Sequence, residues 1–193
     1  MKHFARVLLT IAIIGMVLPT SFAQKKKGDP PPIVVPEFNF DEESGLISYK
    51  AVTELSGSKA DLYKKGLKWF NVFFKSPTNV IKEKDEEGGK INGKHRFNLR
   101  MIDPKTGISS NMGLMMYEIT LWFKDWRYRY QLTKFNWKKG SAYPMEKLLE
   151  ENNKKYVREY ASHLKQSDEY AKDLIKNLKD YMAADHSPKK DDW

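Results

Sequence analysis

The chain has 193 residues, with 34 Lys and Arg against 25 Asp and Glu, a formal net charge of +9. It has no cysteine, which excludes disulfides, thiolate metal sites, cysteine nucleophiles and a lipid-modified N-terminal cysteine. With 40% hydrophobic residues, including ten Phe, ten Tyr and five Trp, it is built for a packed core and not for wholesale disorder.

Residues 1–23 read as a secretory signal peptide. Lys2 and Arg6 precede an apolar run from Val7 to Leu18, and Ser21-Phe22-Ala23 offers a small-x-small cleavage site before Gln24. The run is shorter than the roughly 20 apolar residues that span a bilayer, so no membrane span is expected after cleavage. The expected location is the periplasm or the cell exterior. Residues 24–45 read as a Pro-rich linker, with Lys25-Lys26-Lys27, Pro30-Pro31-Pro32 and Pro36 favouring an extended tether.

Leu46 to Leu55 alternates and predicts the first strand. Ser58 to Asp61 resembles a capping box, and Leu62, Gly66, Trp69, Phe70 and Phe73 recur at helical spacing up to Ser76-Pro77. Four strands follow, over Val80 to Lys84, Lys90 to Met101, Met112 to Phe123 and Trp126 to Phe135. In the third strand Ile91, His95, Phe97 and Leu99 share one face. Met115, Tyr117, Ile119, Leu121 and Phe123 do so in the fourth, and Tyr128, Tyr130 and Leu132 in the fifth. Apolar on one face and polar on the other predicts an antiparallel sheet covered on one side. From Pro144 the period becomes helical. Met145, Leu148, Leu149, Asn152, Tyr156 and Tyr160 mark one helix, and Tyr170, Leu174, Leu178 and Tyr181 a second. The expected fold class is α+β, a five-stranded antiparallel sheet in the order strand, helix, four strands, helix, helix, with the helices on one face. The domain occupies 46–137, a C-terminal helical extension 138–186 and a frayed tail 187–193. The domain carries +8, the linker −2 and residues 138–193 +1.

Four stretches resemble a known family. They are Gly57-Ser58-Lys59-Ala60-Asp61-Leu62-Tyr63 with Trp69-Phe70, Ile91-Asn92-Gly93-Lys94 after an acidic turn, and Phe123-Lys124-Asp125-Trp126-Arg127-Tyr128-Arg129-Tyr130. Their order and spacing resemble domain-of-unknown-function family 4468, whose fold is TATA-binding-protein-like and whose members are mainly exported proteins of Bacteroidetes. One departure is Trp126, at a hairpin position where glycine is expected. The resemblance implies fold and compartment; it brings no catalytic residue or ligand, and a shared fold does not transfer DNA binding.

Gly88-Gly89-Lys90-Ile91-Asn92-Gly93-Lys94-His95 comes close to a phosphate-binding loop. His95 stands where a magnesium-binding hydroxyl is required, and a strand follows where a helix is required, so the segment reads as a hairpin turn. His95 and His163 lack metal-ligand spacing, and His95 reads as a core residue. No nucleophile elbow is present, and Glu86-Glu87, Asp41-Glu42-Glu43 and Asp191-Asp192 are adjacent acids suited to solvated turns. No catalytic residue, metal or cofactor is expected. The candidate ligand-binding residues are Lys94, Arg96, Arg100, Trp122, Arg127 and Arg129, on the outward face of the sheet, where a basic surface with an aromatic ring suits an anionic ligand.

The expected function is a non-enzymatic envelope binding module. It would engage an anionic envelope ligand or another envelope protein through the basic sheet face or a sheet–helix cavity, with no nucleic-acid partner. The rival is a structural or assembly subunit that makes protein contacts through the linker and the C-terminal helices; an uncharacterised hydrolase is a third reading.

Overall fold

The computed structural model describes residues 30–184, so the signal segment and the tail lie outside the described residues. The elements in chain order are β1 (Tyr49–Glu54), α1 (Lys59–Phe73), α2 (Pro77–Val80), β2 (Ile81–Asp85), β3 (Lys90–Ile102), β4 (Ser109–Lys124), β5 (Arg127–Lys138), β6 (Ala142–Pro144), α3 (Met145–Lys154) and α4 (Arg158–Ala183). The sheet is antiparallel throughout, in the order β1-β5-β4-β3-β2, with β6 paired to the end of β5 beside β1. It therefore has six strands and not five. The sixth, Ala142–Pro144, falls at the start of the expected C-terminal helical extension, 138–186.

Alternation places the core. Met115, Tyr117, Ile119, Leu121 and Phe123 of β4 are all buried, as are Tyr128, Tyr130 and Leu132 of β5. The helices cover this face. Ser58 caps α1 through its hydroxyl, which accepts from the Asp61 N–H at 3.2 Å. Trp69 Nε1 of α1 donates to Asn177 of α4 at 2.9 Å, and Phe97 of β3 stacks on Tyr170 of α4 with centroids 4.0 Å apart.

Three local features depart from simple alternation. Lys134 sits at φ 56°, so Lys134 and Phe135 together oppose Tyr117, and this β-bulge turns Phe135 inward and Lys134 out. A second bulge falls at Gly113 of β4, at φ 100°, where a Cβ would stand 2.6 Å from the Lys138 carbonyl oxygen. The expected helix through Tyr156 and Tyr160 is broken. α3 ends at Lys154, and the buried Asn152 side chain accepts from the Val157 N–H at 3.0 Å, so Tyr160 belongs to α4.

The linker reading also needs correction. The segment from Pro31 does not hang free: Arg158 Nη1 donates to the Pro31 carbonyl at 2.7 Å, and the Ile33 N–H donates to the Tyr156 hydroxyl at 3.0 Å. Val35 and Phe38 pack on the core, and Ile47, fully buried, donates its N–H to Glu146 at 2.8 Å.

Candidate functional site: the basic face and the open margin of β3

The outward face of the sheet is laid out by the strand register. Val52, Arg129, Trp122 and Lys90 form one cross-strand row; Lys50, Gln131, Thr120 and Asn92 form the next. All six candidate residues lie on this face, but in two groups. Arg129 lies over the Trp122 ring, 4.7 Å from its centroid, and Arg127 stands opposite Lys124 and Glu54. Val52, Trp122, Lys124, Arg127, Tyr128 and Arg129 line a shallow cleft of about 330 Å³.

Lys94, Arg96 and Arg100 belong to the other end. Between the two groups stands Glu118, whose carboxylate takes Lys94 at 2.8 Å and Lys134 at 2.9 Å. Burial alone would raise the pKa of Glu118, but the hydrogen bonds and charges of the two lysines outweigh it and lower the value. The face is thus not one continuous basic platform. Arg100 lies furthest away, beyond the Gly113 bulge.

A larger cleft, about 770 Å³, lies at the margin of β3. Phe73, Phe74 and Tyr170 line it on the helix side, with His95; Lys94, Arg96 and Met116 line the outer side, and Lys75 and Lys82 complete the rim. Four of its side chains are basic and none is acidic. Lys94 is held by Glu118 and Lys82 by the Asn79 carbonyl, whereas Lys75 and Arg96 have no ion-pair partner among the described residues. The sequence reading found Lys94 and Arg96 but missed Lys75 and Lys82. Lys75 lies in the join between α1 and α2 and Lys82 near the start of β2, so neither belongs to the alternating faces from which the candidates were drawn.

The helix-side wall is fixed by a polar chain. The Tyr117 and Tyr170 hydroxyls lie 2.9 Å apart, and the Tyr117 hydroxyl lies 3.4 Å from His95 Nδ1. Burial, and then the charge of Arg96, lowers the His95 pKa, so this ring is neutral at pH 7. Its ring packs against Phe74, at 4.8 Å between centroids, but His95 is only half-buried and lines the cleft, so the core reading of His95 holds for one side of the ring and not for the other. Among the described residues no group of three or more His, Asp or Glu side chains is arranged to hold a metal ion.

Backbone geometry explains why the margin is open. The Phe123 N–H donates to the Gly89 carbonyl at 2.8 Å, which makes odd-numbered residues of β3 the ones that bond to β4. Even-numbered residues point the other way. Lys90 and Asn92 are paired with β2, but β2 begins only at Ile81, opposite Gly93. At Arg100 the side chain of Gln166 takes over. Its Oε1 accepts from the Arg100 N–H at 3.0 Å and its Nε2 donates to the Arg100 carbonyl at 2.8 Å. Between these two points no strand covers β3, and the main-chain N–H and C=O groups of Arg96 and Asn98 face the margin without a protein partner among the described residues.

Residues 49–138 match the family described as a domain of unknown function (DUF4468) with TBP-like fold. A crystal structure of a DUF4468 family protein from Bacteroides ovatus superimposes with a TM-score of 0.61 at 20% identity, covering 80% of this chain and 93% of that one. A TBP-like protein from Parabacteroides distasonis gives a TM-score of 0.59 at 13% identity, covering 74% of this chain and 96% of that one. No functionally curated protein matches the chain. The likeness to these structures is one of fold. Among the described residues no helix is long and apolar enough to cross a membrane.

Proposed function

We propose that this protein is a non-enzymatic binding domain that holds an anionic partner in the cleft at the margin of β3. The observation that carries the reading is the lining of that cleft: Lys75, Lys82, Lys94 and Arg96 around an aromatic wall, with no carboxylate among the lining residues. Arg96 and Lys75 are exposed and unpaired, so an incoming anion meets cations that need not first release a partner. The signal-like N-terminal segment supports an exported, envelope setting, in which anionic polysaccharide, lipid or acidic protein is the available chemistry. The Trp122–Arg129 end of the outward face is a smaller second surface of the same character.

Two anionic probes of unlike backbone test the reading: heparin and a poly-glutamate peptide, titrated calorimetrically into the chain from Gln24 onward. Both are expected to bind, more weakly as salt rises, and Lys75→Glu with Arg96→Glu is expected to lower both affinities at least tenfold. Undiminished binding by the double variant, or no binding of either probe to the wild type, would overturn it.

A further inference from the structure

We infer that the partner of this cleft is an extended acidic peptide that pairs with β3 as an additional strand; the inference rests on the reading above and names the class of ligand. Three observations converge on it. The first is the vacant ladder. Between β2 and Gln166, at Arg96 and Asn98, the margin carries peptide N–H and C=O groups at a two-residue interval, the spacing that another extended backbone matches. A sugar chain or a phosphate has no such repeat.

The second is the behaviour of Gln166. At Arg100 its side-chain amide donates one hydrogen bond and accepts another at this same margin, at 2.8 and 3.0 Å. An amide group is thus already docked on the ladder, in the geometry a neighbouring strand would use.

The third is how side chains divide about the margin. An added strand sends alternate side chains to opposite faces of the sheet. On the outer face they meet Lys94 and Arg96; on the inner face they meet Phe74, His95 and Tyr170. The sequence that fits is acidic at one parity and apolar at the other. The free stretch is about five residues, or about 17 Å at 3.3–3.4 Å per residue, so the recognised core is short.

The test uses the chain from Gln24 onward and a blocked decapeptide of alternating Glu and Val, with heparin as the anion that lacks a peptide backbone. The peptide is expected to bind and to slow amide hydrogen exchange at Arg96 and Asn98 at least tenfold, as read by nitrogen-15 NMR. Asn98→Pro deletes a margin-facing N–H, removes no bond to β4 and leaves every cation in place. It should weaken the peptide at least tenfold while heparin binding stays unchanged. Peptide binding without protection of those two amides, or equal binding by Asn98→Pro, would overturn strand addition. Heparin binding without peptide binding would also overturn it, while leaving the anionic-partner reading intact. Failure of both probes would overturn both. Should Asn98→Pro fail to fold, exchange protection in the wild type decides alone.

Discussion

His163 shows what a single buried group contributes to the pH behaviour of the fold. It is fully buried in α4, its ring 4.6 Å from Trp137, and neither ring nitrogen has a hydrogen-bond partner among the described residues. Burial lowers its pKa from 6.5 to about 4, with Glu159 opposing the shift and Lys139 adding to it. The unfolded chain therefore binds the proton more tightly than the native one. This contribution to stability is complete above pH 6.5 and is lost as the pH falls towards 4. Between pH 7 and pH 5 the loss from this group is expected to be about 2 kcal/mol. Chemical denaturation at both pH values checks it; His163→Leu should flatten the dependence, and a wild-type slope kept by the variant would refute it. Trp126 is the other residue where local chemistry and position disagree. It adopts φ 66° in the Asp125-Trp126 turn, the place where glycine was expected, and it is 63% exposed. The backbone thus takes the left-handed form that the expectation implied, with a side chain poorly suited to it.

At the scale of elements, the strand faces were legible because alternation is a two-residue signal that each strand repeats several times. The outward positions of all six candidate residues follow from it. What alternation could not carry was any change of phase. Lys134 has no sequence mark of a bulge, yet its left-handed backbone turns Phe135 into the core. The boundary of α3 and α4 was misplaced for a related reason. Tyr156 and Tyr160 continue the helical spacing, while the break is set by the Asn152 side chain, a tertiary choice. The β3 cleft draws on α1, the α1–α2 join, β2, β3, β4 and α4, so no local pattern could have assembled it. Close packing between elements is itself testable at Gly66, where α1 crosses β4. A Cβ there would lie 2.3 Å from Cζ of Phe123, a ring already held edge-on by Tyr63 at 5.8 Å. Overpacking should outweigh the gain in helix propensity, so Gly66→Ala is expected to destabilise by about 1–2 kcal/mol in denaturant titrations. A more stable variant would show that Phe123 has room to move.

For the whole molecule, the distribution of charge was readable before the fold, but its arrangement was not. The +8 of residues 46–137 is shared between α1, which carries four lysines, and the sheet, and on the outward face Glu118, paired with Lys94 and Lys134, separates two basic groups. The path of the N-terminal segment was misjudged because proline-rich composition speaks for an extended backbone and not for what that backbone lies against. Val35 and Phe38 make the segment part of the packed body. Phe38→Ala should therefore lower stability by about 1–2 kcal/mol, measured by thermal and denaturant unfolding, whereas a free tether would leave it unchanged.

The amide of Gln166 at Arg100 has a consequence for copies of the chain meeting one another. An uncovered strand is ordinarily a template on which sheets grow end to end into aggregates. Here the opening is bounded by β2 on one side and by the glutamine on the other. A second β3, 13 residues long and carrying the same Lys94 and Arg96, could enter only by displacing one of those stops and stacking like charges. The margin is a slot of fixed length, and a like-charged β3 is a poor occupant for it.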